Sequence, residues 1–81
     1  MRGCETMTQL DNIIHRIDII EDGLTLKASY KEEKEDLDQI HSDLSVMRYL
    51  GAPLWKVNDA KKRIQQIIQW MDEEEKAAHK E

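Results

Sequence analysis

"YLGAPLWKVNDAKKRI", residues 49–64, decides the fold, because one apolar pattern ends inside it and another begins. Gly51 suits the residue just past a helix end, and Pro53 suits the first turn of the next helix. A corner of about three residues is then enough, and so short a connection makes consecutive helices antiparallel neighbours. The same stretch also reads as the turn of a helix-turn-helix that sets a basic helix in DNA.

Upstream of the corner, Tyr30, Leu37, Ile40, Leu44 and Met47 fall on about a third of a helical turn. Downstream, Leu54, Val57, Ala60, Ile64, Ile67, Ile68 and Met71 form a second stripe, about half a turn out of phase if the helix ran on unbroken. An earlier stripe, Leu10, Ile13, Ile14, Ile17, Ile20 and Leu24, lies roughly 160° from the Tyr30–Met47 stripe. Three stripes that disagree in direction require two breaks. The first break has its own chemistry: Gly23 follows two acids, and Ser29 with Glu32 forms a capping box for a restart. Thr8 with Asp11 resembles another, so the first helix is expected to begin near residue 9. Leu24, Leu26, Ala28 and Tyr30 also alternate as a short strand does, so 23–28 reads as a loop or a lone strand.

The expected helices are therefore near 9–22, 29–50 and 53–78. They make one helical domain, 8–78, between a flexible leader, 1–7, and a frayed tail, 79–81. Composition agrees, with 40% apolar and 36% charged residues, no Phe, one Pro and three Gly among 81. A single core at this length seldom supplies more than roughly 3 to 5 kcal/mol. The fold class is thus all-α: a three-helix antiparallel bundle, or a helical hairpin with a shorter first helix, completed by homodimerisation. Ile64, Ile67, Ile68 and Met71 are the expected self-association seam.

The net charge of −5 argues against a general nucleic-acid binder. Charge is uneven, however. Residues 8–50 hold ten acids against five bases and residues 71–81 five against two, whereas residues 52–70 hold four bases against Asp59 alone. A helix-turn-helix over 46–63 bears Lys56, Lys61, Lys62 and Arg63 on its second helix and would read bases through residues such as Trp55, Lys56, Asn58 and Asp59. Against it stand the acid among the base readers, the acidic flanks, and a stripe that runs on to Met71 as scaffold. The acidic run at 31–38 reads as a solvated face held by Lys31–Glu35 and Lys34–Asp38 pairs, or as an acidic partner surface.

Catalytic chemistry finds no foothold in the sequence. There is no phosphate-binding glycine loop and no Ser/His/Asp arrangement. His15, His41 and His79 each have an acid at helical spacing, but Asp38-x-x-His41 occurs once, and a di-metal bundle needs that pattern from two helices. Cys4 alone suggests neither a disulfide framework nor a zinc site. No cofactor is expected. With no apolar run of transmembrane length and no signal-peptide core, the expected compartment is the cytoplasm. What remains is a non-enzymatic protein-interaction module: a small regulator, inhibitor or antitoxin-like antagonist. Its expected partner-binding patch is Trp55 and Trp70 with Lys56, Lys61, Lys62 and Arg63, since Trp is enriched at interface hot spots.

Overall fold

The structure, a computed structural model, describes the backbone of residues 2–78 and the side chains of residues 8–78. The side chain of Cys4, and all of His79 and the 79–81 tail, lie outside the described residues. The chain forms three helices, α1 (Arg2–Asp22), α2 (Lys31–Tyr49) and α3 (Leu54–Ala78), packed together, with no strand among the described residues. The bundle measures 55 × 18 × 16 Å. A helix of 19 residues such as α2 is about 28 Å long. It fits a section that narrow only by lying along the long axis.

The core follows the three stripes. Leu10 and Ile17 of α1, Leu37, Ile40, Leu44 and Met47 of α2, and Val57, Ala60, Ile64, Ile67 and Met71 of α3 are buried, with Tyr30 and Ala52 from the connections. Ile13, Ile14, Ile20, Leu24, Ile68 and Trp70 pack against them, partly covered. No polar or charged side chain is buried among the described residues.

Three boundaries differ from the sequence reading. α1 reaches back to Arg2 rather than starting near residue 9. A capping box marks where a helix is able to begin, and no proline between Arg2 and Thr8 forces a break there. α2 begins at Lys31 with Tyr30 as its N-cap residue and no side-chain cap bond, so the Ser29–Glu32 box does not cap it. The Tyr30 amide instead donates to Glu75 Oε2 of α3 at 2.9 Å, and a long-range carboxylate replaces the local one. Pro53 sits just ahead of α3, where its carbonyl accepts the Val57 amide at 3.1 Å.

The α2–α3 corner is closed by backbone alone. The Gly51 amide donates to the Arg48 carbonyl (3.1 Å) and the Ala52 amide to the Met47 carbonyl (3.0 Å). This is the paired hydrogen-bond pattern of a Schellman motif, with Ala52 and Met47 supplying the hydrophobic contact that accompanies it. Gly51 has φ 99°, a left-handed conformation that a side chain resists.

Ion pairs set the register of α1 against its neighbours. Lys56 reaches Asp11 (2.7 Å) and Arg63 reaches Asp18 (2.5 Å), both across 45 positions, and Arg63 also reaches Glu21 (3.0 Å). Arg16 pairs with Asp43 of α2 at 3.2 Å. On this register Gln9 stands level with Leu54. Arg2–Thr8 then overhang the α2–α3 corner by about 10 Å at the helical rise of 1.5 Å per residue.

Candidate partner-binding surface

The two ends of the bundle are built differently, and the α2–α3 end leaves more large apolar side chains in solvent. At the α1–α2 end, the Tyr30 hydroxyl donates to the Thr25 carbonyl at 2.6 Å and accepts the Lys27 amide at 2.9 Å. Its ring meets Trp70 edge-on, with centroids 5.8 Å apart. Lys34 bridges Asp72 (2.5 Å) and Glu75 of α3, and Lys27 pairs with Glu33. Both lysines are held above their ordinary range by these carboxylate partners, Lys34 by Asp72 first and then Glu75. Glu75 is held below the ordinary carboxylate value by the Lys34 ammonium first and by the Tyr30 amide second.

This network takes the place of the expected Lys34–Asp38 pair. The base-first order along one helix is the weaker geometry, and α3 offers Lys34 two carboxylates at once. Lys31 makes no ion pair among the described residues.

At the α2–α3 end, Val46, Tyr49, Leu50, Leu54 and Trp55 are all exposed, Tyr49 to 93% and Trp55 to 68%. Elsewhere among the described residues only Ile19 and Leu26 are large, apolar and exposed. Val46 borders a hollow of about 340 Å³ between α1 and α2, shared with Gln9, Asn12 and Ile13. Tyr49 borders another with Arg48 and Lys61. Leu54, counted in the α3 stripe by sequence, lies in the first residue of its helix with no turn before it to cover it, and it stays in solvent.

The residues expected to form one patch are not brought together. Trp55 and Trp70 stand about 22 Å apart along one helix. Trp70 is a partly covered neighbour of the core, packed on Tyr30. Lys56 and Arg63 face α1 and are held by its carboxylates, and the Arg63 guanidinium is pushed above its ordinary value by Glu21 and Asp18. Of the expected basic group, Lys61 and Lys62 make no ion pair among the described residues.

The expected self-association seam lies inside the single chain. Ile64, Ile67 and Met71 are 1%, 5% and 0% exposed, and Ile68 packs on the same cluster. A second copy reaches Ile64, Ile67 and Met71 only by opening the bundle, whereas Ile68 is partly exposed. Most of the exposed apolar surplus lies near the α2–α3 corner.

Sequence reasoning assigned none of Val46, Tyr49 and Leu50 to the partner-binding patch. The signal was available in their spacing: all three lie within five residues of Gly51, where α2 ends, and off the stripe that ends at Met47. No described group of three or more His, Cys, Asp or Glu is placed to hold a metal ion, and no described helix is long and apolar enough to cross a membrane. No protein-family model matches the chain, and no curated protein or solved structure matches it either.

Proposed function

We propose that this chain is a small non-enzymatic protein-interaction module whose binding surface is the α2–α3 corner. The observation that carries the reading is the run from Val46 to Trp55, where five large apolar side chains lie in solvent beside a rigid backbone turn. So many large apolar side chains left in solvent over so short a stretch mark a candidate contact surface, and Trp and Tyr give large contact area at small entropic cost. Consecutive helices running antiparallel fit the contacts, since the start of α2 meets the end of α3 through Lys34 and Glu75. That arrangement presents the corner near one end of the bundle, beside the start of α1. Occupying a partner's surface with this tip is how such a module would regulate or inhibit it.

The DNA-binding alternative over 46–63 is supported less well. A helix-turn-helix crosses its helices at about 90–120°, which the 18 × 16 Å section does not accommodate, and Lys56 and Arg63 already have partners.

The test is site-specific photo-crosslinking in the cell that makes the protein, with benzoylphenylalanine at Tyr49 or, as control, at the exposed Glu73. The expected result is a discrete protein adduct from position 49 alone that disappears when Trp55→Ser is added. A folded protein giving no adduct at 49, or the same adducts from both positions, overturns the reading.

A further inference from the structure

We infer that the partner presents an acidic amphipathic helix, which lies across the α2–α3 corner. The inference rests on the protein-interaction reading above and adds the chemistry of the occupant.

Charge is the first argument. The chain as a whole is acidic, yet no acid occurs between Leu44 and Asn58. Around the apolar tip stand Arg48, Lys61 and Lys62, none of them in an ion pair among the described residues. Lys56 and Arg63, by contrast, pair with carboxylates of α1, so the five bases of residues 48–63 fall into two sets, two paired within the bundle and three not, of which Arg48 and Lys62 are exposed. An apolar patch with a cationic rim is complementary to apolar side chains flanked by carboxylates. A helix bearing anchors at i, i+3, i+4 and i+7 and acids on its flanks supplies both.

Shape is the second. Ser45, Arg48, Tyr49 and Lys61 line an open hollow between α2 and α3 at the corner, and a helix about 10–12 Å across is able to lie along it. Duplex DNA gains only three unpaired bases there among the described residues, set beside apolar side chains that its phosphates do not match.

The experiment measures fluorescence anisotropy of the full chain with two labelled 16-residue helical peptides. They share one Leu/Phe stripe at helical spacing and carry Glu or Lys at all other positions. Vesicles of phosphatidylglycerol with phosphatidylcholine and a 20-base-pair duplex are run in parallel. The Glu peptide is expected to bind about tenfold or more tighter than the Lys peptide, to weaken with salt, and to weaken about tenfold with Trp55→Ser. The combined change Arg48→Glu, Lys61→Glu and Lys62→Glu is expected to reverse the preference. Lys62→Glu alone, at an exposed position, narrows it should the triple variant melt early. Equal binding of the two peptides, both lost with Trp55→Ser, overturns the acidic partner and leaves the interaction reading in place. Binding of neither peptide overturns the inference, with the crosslink at position 49 deciding the wider reading separately. Vesicle or duplex binding that depends on Trp55, with no peptide binding, overturns both.

Discussion

The two connections between helices do the same job by opposite means. Between α1 and α2 the chain takes residues 23–30 to turn, and it holds the turn with side chains: Tyr30 under Trp70, its hydroxyl on the Thr25 carbonyl, and Glu75 and Lys34 closing the start of α2. Between α2 and α3 the turn needs Leu50 to Pro53 and two backbone hydrogen bonds about Gly51. Where side chains make the turn, Tyr30 is buried and Lys27, Lys34 and Glu75 are paired, and Leu26 alone of the large apolar side chains there is exposed. Where the backbone makes it, Tyr49, Leu50, Leu54 and Trp55 are left over, and exposure follows from the kind of turn as much as from the residues in it.

The contrast breaks most visibly at Tyr30. Tyr30→Ala removes a fully buried ring together with two hydrogen bonds, and is expected to cost about 3–5 kcal/mol in urea unfolding, enough to abolish a cooperative transition in so small a domain. Tyr30→Phe keeps the ring and is expected to cost about 1 kcal/mol, which isolates the hydroxyl's share. If Tyr30→Ala instead unfolds like the parent, the side-chain account of that turn is wrong.

At the other turn the largest effect should come from the residue with no side chain. A Cβ at Gly51 meets nothing within 4 Å, so Gly51→Ala is penalised by backbone conformation alone, about 1–2 kcal/mol by chemical denaturation. Gly51→Asn, which tolerates the left-handed region better, should fall between the two.

Acid distinguishes the ends next. Glu75 titrates below its ordinary value of 4.5 in the folded chain. Its stabilising contribution is therefore complete above pH 4.5 and is lost as the pH falls through the lowered value. Melting temperatures of the parent measured from about pH 6 downward should drop through that window, and Glu75→Gln should start lower and decline less steeply. A parallel decline in both proteins would remove Glu75 from the account.

The smallest effects belong to exposed positions. Arg63→Ala loses two carboxylate contacts from a well-solvated guanidinium and is expected to cost less than about 1 kcal/mol. Trp55→Ser and Tyr49→Ser should move the unfolding midpoint by no more than about 0.5 kcal/mol in either direction, although both residues are aromatic. A larger loss at Trp55 would mean that the tip contributes to folding and is not free for recognition.

How much of this was legible in the sequence depended on distance along the chain. The α2 stripe was fully readable, because Tyr30, Leu37, Ile40, Leu44 and Met47 sit on one face and every one is buried. Gly51 was readable for the same local reason. The cap on α2 was not, since Glu75 is 45 positions away from Tyr30 and nothing near Ser29 discloses it. Nor was the division of the bases. Lys56, Lys61, Lys62 and Arg63 are equivalent in composition, and only the packing of α1 along α3 separates the two that meet Asp11, Asp18 and Glu21 from the two that do not. The seam assigned to self-association packs within the single chain for the same reason, because periodicity identifies a face to be covered without saying by which helix.

The Gly51 turn has an evolutionary consequence. Since its hydrogen bonds join main-chain atoms only, Val46, Tyr49, Leu50, Leu54 and Trp55 are released from holding the architecture. Lineages descending from this sequence are free to exchange those residues and acquire new affinities while the glycine beneath stays fixed. The same freedom makes the tip a ready-made cassette: randomising those positions over an unaltered bundle should yield binders of new specificity that still fold.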